Sequence, residues 1–126
     1  MTFGFPVHLP VQNNNCIVFG VNELAYTRAA ELLKFGAKAT VISPFLCEPL
    51  SKLDQECAIR HIPRKYIRGD CSFAAMCVAA TDSPAMNIAI SDECKAKKVP
   101  VNVTNPPEYG TFSFPVVAKT NNIMVS

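Results

Sequence analysis

The chain has 126 residues, 49% hydrophobic and 17% charged, and twelve lysines and arginines against ten acidic residues leave a net charge of +2. That length suits one domain with a buried core, and the composition excludes a disordered tail, a coiled coil and a two-domain enzyme. The charge is too balanced to indicate a nucleic acid or an anionic membrane as partner, and no apolar run approaches the roughly 18 residues that cross a bilayer.

Periodicity changes regularly along the chain. Cys16-Ile17-Val18-Phe19 is a short continuous apolar run ending at Gly20, the mark of a strand covered on both faces. Helical spacing follows at Ala25, Ala29, Leu32 and Leu33, with Asn22 placed to cap the helix, Glu23 in its first turn and Gly36 at its end. Thr40-Val41-Ile42 is a second buried run, closed by Ser43-Pro44, and Cys47, Leu50, Leu53 and Cys57 mark another amphipathic helix. Ala58 to Ile62 is a weaker third strand, interrupted by Arg60 and His61. Met76 to Ala80 is the fourth run. Ser83-Pro84 then starts a helix with serine as cap and proline in the first turn, and its expected apolar face is Ala85, Ile88 and Ala89. Lys95, Lys97 and Lys98 suit its C-terminal end, Val99 to Val103 is a fifth run, and Phe112 to Ala118 with Ile123 to Val125 form a hairpin around Thr120-Asn121-Asn122.

Strands alternating with helices through short loops imply right-handed crossovers and a parallel sheet. The expected fold is α/β, a Rossmann-like parallel sheet with flanking helices and a C-terminal β-hairpin, filling residues 1–126 as a single domain. Ligands of such sheets bind beyond the carboxyl ends of the strands, which directs attention to Gly20 to Ala25, Ser43 to Phe45, Ala80 to Ser83 and Asn102 to Pro107.

Gly20-Val21-Asn22-Glu23-Leu24-Ala25 occupies the place of a G-x-G-x-x-G/A dinucleotide fingerprint, with Asn22 where the middle glycine would stand. That glycine lets backbone amides approach a pyrophosphate, whereas the Asn22 side chain projects toward the phosphate position; asparagine tolerates positive φ, so the turn itself survives. Two readings stay open, a working dinucleotide site and a turn capped by Asn22. An acid about 20 residues further on would bind the ribose, and here the second strand ends in Ser43, a weaker partner. Thr81, at the end of the fourth strand, either hydrogen-bonds a cofactor or simply terminates the strand. Arg60, Arg64, Lys65 and Arg68 form a basic cluster, either a solvated face or an attractor for a polycarboxylate. His8 and His61 lie far apart without ligand-spaced neighbours, so no metal site is expected. The six cysteines, at 16, 47, 57, 71, 77 and 94, read as reduced small hydrophobes of a cytoplasmic protein rather than a disulfide framework.

Several of these segments recur in one known family. Phe5-Pro6, the Gly20 to Ala25 turn with Arg28, Gly36-Ala37, Ile62-Pro63-Arg64, Ala79-Ala80-Thr81-Asp82 with Asn87, Asn102-Val103 and Phe114-Pro115 stand in the order and spacing of precorrin-2 dehydrogenase. The chain resembles that dinucleotide-binding module of siroheme synthase from Phe5 to Ser126. The resemblance implies NAD-dependent oxidation of precorrin-2 to sirohydrochlorin, in some members joined to iron insertion, for siroheme and porphyrin biosynthesis. It places cofactor contacts on Gly20, Glu23, Leu24, Pro44, Phe45 and Thr81, to which Asn22 and Ser43 add by position. The family's aspartate, which serves proton transfer or metal insertion, falls on Asn105, an amide that cannot accept a proton at neutral pH. The alternative is a non-catalytic binding or scaffolding relative that has lost the glycine and the aspartate. The expected partners are a tetrapyrrole and a second copy of the chain as a homodimer, with no nucleic acid and no membrane. Family members continue into dimerising helices that this sequence does not contain.

Overall fold

The computed structural model describes residues 15–72, 74–105, 107–111, 116–118 and 123–125. Phe5-Pro6, His8, Phe114-Pro115 and the Thr120-Asn121-Asn122 turn lie outside the described residues.

Five strands, β1 (Asn15–Phe19), β2 (Lys38–Ser43), β3 (Ile59–Pro63), β4 (Met76–Ala79) and β5 (Val101–Val103), form one sheet in the order β3-β2-β1-β4-β5. Every pairing is parallel, with Val18 opposite both Val41 and Val78. Helices α1 (Glu23–Lys34), α2 (Glu48–Gln55) and α3 (Pro84–Ala96) make the crossovers, and β6 (Val116–Ala118) pairs antiparallel with β7 (Ile123–Val125) apart from the main sheet. The Rossmann-like expectation and the hairpin strands both hold.

The twofold alternation of a strand explains why the runs read as continuously apolar. Cys16, Val18, Val41, Met76 and Val78 pack on one face against Ala25, Ala29 and Leu32 of α1 and Leu50 of α2. Ile17, Phe19, Ile42, Cys77, Ala79, Val101 and Val103 pack on the other against Ile90 and Cys94 of α3. Both faces are covered, so neither residue set has a solvent side to leave polar.

The face of α3 corrects the sequence expectation. Ala85 and Ala89 are exposed and Ile88 is half-buried, while Asn87, Ile90, Ser91 and Cys94 face inward. Two polar residues are buried because each secures a loop: Asn87 bonds the segments after β4 and β5, and the Ser91 hydroxyl donates to the Tyr109 carbonyl at 2.6 Å. Cys57 likewise belongs to the exit of α2 rather than its apolar face, and Val99 to the exit of α3 rather than β5. All three helices end on the same paired bonds. They run from Gly36 to Leu33 and Ala37 to Leu32, from Cys57 to Asp54 and Ala58 to Leu53, and from Lys98 to Lys95 and Val99 to Cys94. The left-handed residue is Gly36 at the first exit, but Cys57 and Lys98, both at φ +59°, at the other two.

Candidate functional site

The strand order reverses between β1 and β4, whose crossovers leave in opposite directions and open a crevice at the carboxyl ends of the strands. A cleft of about 210 Å³ lies there, between Gly20, Ser43, Pro44 and Phe45 on one side and Thr81, Asp82 and Ser83 on the other. A larger open groove of about 590 Å³ runs between α1 and α2, but Glu23, Glu48 and Glu56 make its lining unsuited to phosphates.

Gly20 is required by geometry. Its φ is +149°, and a Cβ on it would stand 2.4 Å from the Ala80 carbonyl oxygen. The β1–α1 turn therefore passes hard against the end of β4. Asn22, by contrast, sits in extended backbone at φ −91°, so its tolerance of positive φ plays no part. Its side chain caps α1, accepting from the Ala25 amide at 2.9 Å, and donates to the Ala80 carbonyl at 3.1 Å and to Asp82 at 2.9 Å. The cap engages Ala25 and leaves the Glu23 and Leu24 amides of the first turn without an intrahelical acceptor, as at any helix start. Glu23 and Leu24 are both exposed, Glu23 lining the outer groove.

At the end of β2, Ser43 is buried and donates its hydroxyl to the Phe45 carbonyl at 2.7 Å. His61 Nε2 donates to the Ser43 carbonyl at 2.9 Å, which fixes this histidine in a structural role. The surfaces presented beside Ser43 are Pro44 and a Phe45 ring 64% exposed. Thr81 donates its hydroxyl to Asn87 Oδ1 at 2.6 Å, and the Thr81 amide meets the same oxygen at 3.1 Å. Asn87, fully buried, returns its amide hydrogens to the Thr81 carbonyl at 3.1 Å and the Asn105 carbonyl at 2.8 Å. Every hydrogen-bonding position of one side chain thus ties the end of β4 to the segment after β5. Asn105 is held by its carbonyl and has an exposed side chain, outside the lining of the cleft.

The remaining wall comes from the irregular segment between β3 and β4, which the sequence reading treated only as a basic cluster. Lys65 and Tyr66 line the cleft, and the Tyr66 ring meets Phe19 edge-on at 5.4 Å. Arg64 forms a two-pronged pair with Asp70 at 2.7 and 2.8 Å, holding the Asp70 carboxyl below its ordinary range, while Arg60 and Arg68 are exposed. The segment is clamped to α3 by Glu93, whose carboxylate accepts from the Tyr66 hydroxyl, the Gly69 and Cys71 amides and the Lys97 ammonium. Burial pushes this carboxyl up, but hydrogen bonds from Lys97, Tyr66 and Gly69 outweigh burial and hold it down at about 2. Burial and the bond to Glu93 both push Tyr66 above the usual phenol range.

The thiols also depart from expectation. All six cysteines are free, as expected, and Cys71, Cys77 and Cys94 converge with their sulfurs within 4.8 Å of one another, a grouping that their spacing along the chain did not suggest. Hydrogen bonds within the cluster draw the Cys94 thiol down and push the Cys77 thiol up.

A family model described as "Putative NAD(P)-binding" matches residues 7–116. The chain belongs to this NAD(P)-binding family. Siroheme synthases from Methylobacillus flagellatus and Thioalkalivibrio sulfidiphilus are each 34% identical to it, over 96% and 97% of this chain but only 26% and 25% of their own. The chain thus spans about a quarter of the length of the curated relatives it matches. Among solved structures, SirC, precorrin-2 dehydrogenase, superposes with a TM-score of 0.80 at 21% identity, covering 98% of this chain and 61% of that one, which shows the shared fold. The resemblance to the siroheme synthase module is borne out, and so is NAD as the cofactor class. Among the described residues no helix is long and apolar enough to cross a membrane.

Proposed function

We propose that residues 1–126 form one NAD-binding domain that oxidises a precorrin-2-type tetrapyrrole in siroheme biosynthesis, acting in the cytoplasm and as a homodimer. The observation that carries this reading is the glycine-built β1–α1 turn at the point where the strand order reverses, opening on the cleft between Phe45 and Thr81. The residues present suit a dinucleotide. Gly20 keeps the turn close to β4, the Glu23 and Leu24 amides at the start of α1 would donate to an anion, and Lys65 supplies a cation to the cleft. Pro44 and Phe45 would offer an apolar surface to the cofactor, and Thr81 would meet it from the opposite wall of the cleft.

NAD, when bound, supplies the hydride acceptor. The chain's own part is to exclude water, orient the substrate and take the accompanying proton. Asn105 can orient a polar group but cannot accept that proton, and Asp82 is the carboxylate that lines the cleft. The siroheme synthase relatives and the SirC superposition support this reading over a scaffolding role.

The test is calorimetric titration with NAD and NADP, followed by anaerobic turnover of precorrin-2 monitored by the absorbance of sirohydrochlorin. The expected result is NAD binding, weak turnover by the natural chain, and faster turnover by Asn105→Asp. Failure to bind either dinucleotide at millimolar concentration would overturn the reading.

A further inference from the structure

The convergence of Cys71, Cys77 and Cys94 is separate from the cleft and unused by the proposed reaction. The three residues come from different elements: Cys71 from the segment between β3 and β4, Cys77 from within β4, and Cys94 from the last turns of α3. Each is fully buried, and their sulfurs all lie within 4.8 Å of one another. Around them stand Ile17, Phe19, Ile90 and Val101, so the cluster is a polarisable pocket inside an apolar layer.

We propose that these three thiols form a binding site for a soft monovalent metal ion, Cu(I), held by three sulfurs. A metal–sulfur distance of about 2.3 Å places three trigonal ligands about 4 Å apart, so sulfurs already within 4.8 Å need only a small contraction. The choice of ion follows from what surrounds the triangle. Structural zinc takes four ligands, and among the described residues the group contains three, with no histidine or carboxylate oxygen joining it. Glu93 is adjacent in sequence, but its oxygens are committed to Tyr66, Gly69, Cys71 and Lys97. Cys16 packs on the opposite face of the sheet, and His61 is held by Ser43. Among the described residues no carboxylate oxygen joins the group to suit a hard ion, whereas thiolates in an apolar shell select a soft closed-shell ion. Binding exchanges thiol protons for the metal: the S–H bonds that break release protons to solvent, sulfur–copper bonds form, and copper stays Cu(I) throughout.

Entry is through the segment that carries Cys71. Ile67, Arg68 and Gly69 are exposed, and polar contacts to Glu93 and Asp70 hold the segment in place rather than a packed helix or strand.

The test uses the full chain, reduced and anaerobic, titrated with Cu(I) in competition with bathocuproine disulfonate. The expected result is one Cu(I) per chain with ultraviolet sulfur-to-copper charge transfer, lost in Cys71→Ala and in Cys94→Ala and retained in Cys47→Ser with Cys57→Ser. Binding that survives both alanine variants, or that needs Cys47 and Cys57, would overturn the site. Because a core variant can fail to fold, the unmodified chain is also labelled with N-ethylmaleimide. Cu(I) is expected to slow labelling of Cys71, Cys77 and Cys94 selectively, and identical labelling with and without the ion would refute the proposal.

Discussion

Replacing Glu93 by glutamine keeps the shape of the side chain and removes the charge on which five donor contacts converge. The carboxyl is held at about 2 against an ordinary value of 4.5. At about 1.4 kcal/mol per tenfold change in proton affinity, that gap corresponds to about 3 kcal/mol of stability, credible for a carboxylate only 4% exposed. Because the folded-state value is depressed, the contribution is complete above pH 4.5 and is lost as pH falls from there towards 2. A domain of this size has about 5–15 kcal/mol in total, so the loss is easily measured. Urea unfolding at neutral pH, followed by circular dichroism, is expected to show Glu93→Gln destabilised by about 3 kcal/mol. Repeated at successively lower pH, the difference between the two proteins should shrink and nearly vanish near pH 2. Subtracting the two curves removes the common effect of Asp70. A difference that stayed constant over that range would show that Glu93 acts by packing, not by its charge.

Other outcomes follow from single contacts. Gly20→Ala forces a Cβ to 2.4 Å from a backbone carbonyl at a positive φ, and is expected to abolish cooperative thermal unfolding or lower the melting temperature severely. Asn22→Gly removes the side chain that caps Ala25 and reaches Asp82; calorimetry should show tighter NAD binding, at a stability cost of about a few tenths of a kcal/mol from the cap. Lys98→Gly and Cys57→Gly relieve left-handed strain at two helix exits, and each should raise stability by about 0.5–1 kcal/mol in chemical denaturation. No change in either would show that the strain is already offset by local contacts.

The sheet was legible because its inner strands are covered on both faces, so Cys16 to Phe19 and Met76 to Ala79 announce themselves as unbroken apolar runs bounded by turns. Asn22 and Ser83 were legible as caps because capping is a local act, decided within three residues. The inner face of α3 was not, since Asn87 and Ser91 are buried by bonds to loops distant in sequence, and hydropathy scores them as surface. The wall formed by Lys65 and Tyr66 was hidden for a related reason: an irregular segment has no period, and its position depends on Glu93 across the fold. The thiol cluster was invisible because its members come from three elements that only the packing of α3 on β4 brings together.

One segment serves both the cleft and the thiols, and that sets a thermodynamic condition on the two sites. Lys65 and Tyr66 form the cleft wall, and Cys71 lies a few residues on, with Gly69 and Cys71 gripped by the same carboxylate as Tyr66. An ion that fixed Cys71 would remove freedom that NAD must otherwise remove when it orders the wall, so the second ligand meets a smaller entropic cost. Linkage then requires reciprocity: if Cu(I) tightens NAD by some factor, NAD must tighten Cu(I) by that same factor. Measuring each affinity with and without the other ligand closes the cycle. Glu93→Gln loosens the shared segment and is expected to enlarge the coupling, because more freedom remains for either ligand to remove. Equal NAD affinity in the metal-free and Cu(I)-loaded chain, unchanged by Glu93→Gln, would show that the wall is already rigid and the two sites are independent.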